Sequence, residues 1–161
     1  MSRIVRILII ATVALVLTTP TWAGESEEEQ KIVNTVEETW KKLAAKEVGD
    51  GLVGPKGSIQ AHSSGGLWQG LTPEAMAALL KESPNTLQFT PYHINVKFLG
   101  SKKDVAYVTY YLVGTIVREA KEDIANYRTR ASNVMEKIDG KWVNSGSHYS
   151  ALFGGSGVVT D

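Results

Sequence analysis

The run VAYVTYYLVGTIV, residues 105 to 117, constrains this chain more than any other stretch. Its β-branched and aromatic content marks it as a strand. Alternation places Val105, Tyr107, Tyr111, Val113 and Val117 on one face, and Ala106, Val108, Leu112 and Ile116 on the other. A strand of an antiparallel sheet usually keeps one wet face, and this one has none. Helices of the same chain can cover one side. The other is expected to meet a second copy, giving a homodimer or larger assembly through the sheet face.

The surrounding pattern supplies the sheet and the helices. Residues 87 to 99 alternate and are turned into the central run by Gly100-Ser101-Lys102-Lys103-Asp104. Residues 124 to 138 form the next strand, Asp139-Gly140 is a two-residue hairpin signal, and 141 to 152 form the last strand. Upstream, Ser26-Glu27-Glu28-Glu29 has the form of a capping box. Ile32, Val33, Val36, Trp40, Leu43 and Ala44 then recur at helical spacing, predicting a helix to about Glu47, stopped by Gly49-Asp50-Gly51. The glycine-rich stretch 51 to 70 holds one short strand, Ser58 to His62. Thr72-Pro73-Glu74 opens a second helix with Met76, Leu79 and Leu80 on its buried face, and Ser83-Pro84-Asn85 ends it. Helix, short strand, helix and a four-strand meander describe an α+β domain.

The first residues predict export. Arg3 and Arg6 precede an apolar run, Ile7 to Leu17, of about eleven residues, the length of a secretory signal core and short of a membrane span. Thr21-Trp22-Ala23 offers small residues for cleavage. The expected organisation is a signal peptide over 1–23, one domain over 24–152 and a flexible tail over 153–161, in a periplasmic or secreted protein free of the membrane once cleaved. Seventeen basic side chains balance seventeen acidic ones, and loss of Arg3 and Arg6 leaves a net charge near −2. No basic stripe exists for nucleic acid. The chain has no cysteine, so neither disulfides nor thiolate metal sites contribute, and its three scattered histidines do not suggest a zinc site. No cofactor motif appears.

Strict alternation puts Trp142, Asn144, Gly146, His148 and Ser150 on one face of the last strand, and Tyr127, Thr129, Ala131, Asn133 and Met135 on one face of its neighbour. If these two faces line a hollow, small residues leave space in it and Asn133, Asn144 and His148 are its polar groups, the pattern that small-ligand binding needs. Tyr127 joins them. Trp68 is expected at the mouth of the hollow or in the helix–sheet core. His93 is read on one face with Phe89, Asn95 and Leu99, and His62 as a loop histidine near the rim. No carboxylate is placed to act as a base, so His148 is the first candidate for proton transfer, with His93 behind it.

Asp139-Gly140-Lys141-Trp142-Val143-Asn144 followed by His148-Tyr149-Ser150 resembles the ending of the association (hub) domain of calcium/calmodulin-dependent protein kinase type II. Pro91-Tyr92-His93-Ile94-Asn95-Val96 with Val105-Ala106-Tyr107 resembles that domain's central hairpin. Together they point to the nuclear transport factor 2-like superfamily, and within it the SnoaL-like group. The resemblance implies a cone-shaped, curved antiparallel sheet wrapped around the N-terminal helices. The hub's pocket arginine is replaced here by Asn133, and Arg128 and Arg130 fall on the opposite alternation. Three functions stay open: an exported domain holding a small apolar or weakly polar molecule, an isomerase-like enzyme using a histidine, and an oligomeric scaffold without a ligand.

Overall fold

The computed structural model describes residues 26–152; the expected signal segment and tail lie outside them. The elements run α1 (Glu27–Ala44), β1 (Ser58–Ala61), β2 (Gln69–Leu71), α2 (Pro73–Glu82), β3 (Asn85–Leu99), β4 (Val105–Arg118), β5 (Ile124–Ile138) and β6 (Lys141–Ala151). Helix α1 starts where its capping box requires. The Glu29 amide donates to Ser26 Oγ at 3.2 Å, and the Ser26 amide donates to Glu29 Oε2 at 2.7 Å. Its stripe of Ile32, Val36, Trp40 and Leu43 is buried, each side chain contributing about 1.5–3 kcal/mol of burial. The helix lies across the inner face of the sheet, against β3 and the start of β6.

The six strands form one open, curved sheet in the order β2-β1-β6-β5-β4-β3. Four of its five pairings are antiparallel, but β1 runs parallel to β6, with Ala61 opposite His148, so the sheet is mixed. The β5–β6 hairpin closes on Asp139 and Gly140, both with positive φ (49° and 79°), as a primed two-residue turn demands.

Three irregularities bend the ladders: in β3 between Tyr92 and Asn95, between β4 and β5 at Gly114–Ile116, and in β6, where Ser145 is an extra residue between the Met135–Asn144 and Val134–Gly146 pairs. Bulges of this sort increase strand twist and bend, which suits a sheet curling over a helix. Inside the curl Ala106, Val108, Leu112, Ala131, Met135 and Trp142 pack with α1. On the outer face Tyr107 and Tyr111 of β4 stay 42% and 43% exposed, so the central strand is apolar on both sides, as its sequence requires.

Candidate functional site

Between the two helices and the inner face of the sheet lies a cavity of about 580 Å³. Helix α2 supplies one wall. Its cap is Thr72, whose Oγ1 accepts from the Ala75 amide at 3.2 Å, and Pro73 occupies the first turn. That start turns Met76, Leu79 and Leu80 toward the cavity. Leu79 is 50% exposed although periodicity assigns it to a buried face, because that face looks into open space. The opposite wall comes from Phe89, Leu112 and Ile116, and Trp40 and Leu43 of α1 form the floor.

The polar groups of the lining are Glu82 and Ser83 from the end of α2, His62, Ser63 and Ser64 after β1, and Tyr127, Thr129 and Tyr149 of the sheet; Glu82 is a carboxylate that the sequence assigns only to a solvated helix face. His62, immediately after β1, lies parallel to the Tyr149 ring at a centroid distance of 5.9 Å and an angle of 2°. Although part of its ring meets solvent, desolvation of the remainder lowers its pKa, favouring the neutral imidazole with one free lone pair at neutral pH. Ser63 Oγ is hydrogen-bonded to the Tyr127 hydroxyl. Burial raises the pKa of Tyr149, and of Tyr110 behind it, so both phenols remain protonated. A lone-pair acceptor, a carboxylate and several hydroxyls thus line a largely apolar hollow that is open to solvent on one side.

Of the residues the sequence singles out, Tyr127 lines this cavity. Asn133 and Asn144 do share the inner face, but they hold the fold together. Asn144 Nδ2 donates to the Leu52 carbonyl at 2.7 Å and to Ser147 Oγ at 2.8 Å, and Asn133 Nδ2 donates to the Gly51 carbonyl at 3.4 Å. They tie the loop after α1 to the sheet.

His148 is not on that face. The extra residue Ser145 resets the alternation of β6, burying Ser147 and Tyr149 and turning His148 outward. The irregularity in β3 separates His93 from Phe89 in the same way. His93 adopts φ 52° and packs against Tyr111 on the outer face at 6.1 Å. Trp68 neither closes the mouth nor fills the core: it is 63% exposed and rests 5.8 Å from His148. The histidine that does reach the cavity is His62. The sequence signal for it was its place at the end of a short strand, but the parallel pairing that delivers it beside Tyr149 has no local signature. Among the described residues no group of three or more histidines and carboxylates could hold a metal ion.

Residues 50–154 match the SnoaL-like domain. No curated protein matches the chain significantly. Among solved structures, the association domain of C. elegans CaMKII is similar with a TM-score of 0.58 at 18% identity, over 79% of this chain and 98% of that one. A nuclear transport factor 2-like protein of unknown function from Prochlorococcus marinus gives 0.55 at 15%, over 86% and 97%. A provisionally assigned scytalone dehydratase from Novosphingobium aromaticivorans gives 0.61 at 11%, over 83% and 89%. At these identities the likeness is one of fold.

Proposed function

Because the chain belongs to the SnoaL-like domain family, whose members often bind ligands or act as enzymes, we propose that it holds one small, largely apolar molecule in the inner cavity. The observation that carries this reading is the cavity itself: about 580 Å³ of space with apolar walls, a stacked imidazole and a Ser63–Tyr127 hydroxyl pair. His62 would accept a hydrogen bond from the ligand, and the phenols would donate. Nile red, an uncharged apolar dye, tests it. The protein is expected to bind the dye, and Leu112→Trp, which fills the space, to weaken binding about tenfold or more without loss of the far-ultraviolet signature of the fold. Equal binding by the variant would place the dye elsewhere and defeat the reading.

A second reading rests on His62. A neutral imidazole at a partly desolvated site is a competent proton acceptor, and the structural likeness reaches a dehydratase assignment. In that case the bound molecule carries an acidic C–H or a hydroxyl leaving group opposite the imidazole.

We propose further that the chain is exported by its N-terminal segment, and that the outer sheet face, with Tyr92, Tyr107, Tyr111, Leu99 and Val134 exposed, pairs with a second copy. The similarity to association domains supports pairing, and these exposed aromatic and aliphatic side chains, set among polar ones, give it a physical cause.

A further inference from the structure

We propose that the outer face of the sheet carries a second site, for a small oxyanion, centred on Arg130. Strand register places its parts. Tyr92, Tyr111, Arg130 and Ser150 form one row across β3, β4, β5 and β6, and Asn95, Thr109, Ser132 and His148 form the next row on the same face. His93 sits in the irregularity between Tyr92 and Asn95 and packs on Tyr111. These side chains surround a depression of about 410 Å³, lined by His93, Tyr111, Arg130, Ser132, His148 and Ser150 among others. The inner cavity lies across the sheet from it, facing Tyr127 and Thr129 of the same strand.

The charge balance of this depression points to an anion. The strands β3 to β6 carry a single carboxylate, Glu136. It shares Arg130's face but lies six residues further along β5, about 20 Å away. Arg118 donates to the Glu122 carbonyl at 2.6 Å, and Arg128 to Asn126 Oδ1 at 2.7 Å. The Arg130 guanidinium has no hydrogen bond or ion pair among the described residues. Around it stand two imidazoles and the hydroxyls of Thr109, Ser132 and Ser150, all able to donate. A guanidinium fork ringed by donors, with no carboxylate of the described residues in reach, matches the two oxygens of a carboxylate or phosphate. Pairing of outer faces would enclose this site, and the bound anion would then offset like charges brought together.

The test titrates benzoate and, separately, inorganic phosphate into the full chain while backbone amides are followed by NMR. Saturable shifts are expected at Thr109, Arg130, Ser132, His148 and Ser150 with at least one of them, and the anion that saturates first tells a planar from a tetrahedral group. Arg130→Gln should weaken binding about tenfold or more with an unchanged melting midpoint, while Arg128→Gln changes it less than about twofold. Silence of those amides to both anions would overturn the site, as would equal binding by Arg130→Gln or equal loss in Arg128→Gln. Binding that appears only in Glu136→Gln would also overturn it, assigning the guanidinium to Glu136 of a second copy. Sedimentation of the same samples scores face pairing separately, so either idea can fail alone.

Discussion

A methyl group at Gly114 would fall on the Gln88 carbonyl and the Phe89 ring of the neighbouring strand. Gly114→Ala must therefore push β3 away from β4 at the cavity wall, and is expected to cost about 1–3 kcal/mol, read as a lower urea midpoint. Gly66→Ala, with open space around it, should stay within about 0.5 kcal/mol. At the site, His62→Gln keeps the volume and a hydrogen bond but loses the basic nitrogen. If the cavity performs proton transfer, incubation with cyclic ketones in deuterated water should label their α-carbons with the native chain and not with His62→Gln; no labelling above buffer in either would leave a binding protein. Single residues also mark where the sequence stopped being readable. The inner row Tyr127, Thr129, Ala131, Asn133 and Met135 follows from alternation because β5 is regular along that face. Asn144 and His148 look equivalent by the same arithmetic, yet Ser145 divides them; Gly146, a lone glycine inside a strand, was the one local hint of a bulge there, and it does not say which way the following residues turn.

Helix α1 and the β5–β6 hairpin are joined by one carboxylate. Glu28 Oε2 accepts from Lys137 Nζ at 2.7 Å and from Trp142 Nε1 at 3.1 Å, and Lys31 donates to Oε1 at 2.9 Å. The Lys137 hydrogen bond, then those of Lys31 and Trp142, lowers its pKa from 4.5 to about 2. A depressed carboxylate pKa stabilises the fold above the unfolded value, and that stabilisation is lost as pH falls through the folded one. The wild type should therefore lose more thermal stability than Glu28→Gln between pH 4.5 and about 2, while the two run parallel above pH 6. Parallel curves throughout would show that the tie does not couple to folding. These elements were legible because their signals are local: a capping box, a helical stripe, an Asp-Gly turn. Strand β1 was only half legible, since four residues show that a strand exists but not that it will lie parallel to a partner more than eighty residues away.

At the scale of the molecule, a sheet with one face wrapped on helices and the other rich in exposed tyrosine was foreshadowed by the two-sided run at 105–117, and the family's architecture by the Asp-Gly hairpin. The position of the hollow was not, because it depends on where α2 and the end of β1 meet the curl. Tyr107→Glu with Tyr111→Glu places like charges on the outer face. If that face pairs, the purified native chain should sediment as a dimer or larger and the double variant as a monomer. A native monomer would refute pairing. One detail of β3 then acquires weight. As the last strand of an open sheet it offers fifteen residues of backbone to any passing chain, yet Pro91 withholds an amide, the break at Tyr92–Asn95 spoils the spacing, and Lys97 adds charge. All three discourage lateral growth into fibrils along this edge, so a chain seeking a partner there meets an interrupted ladder.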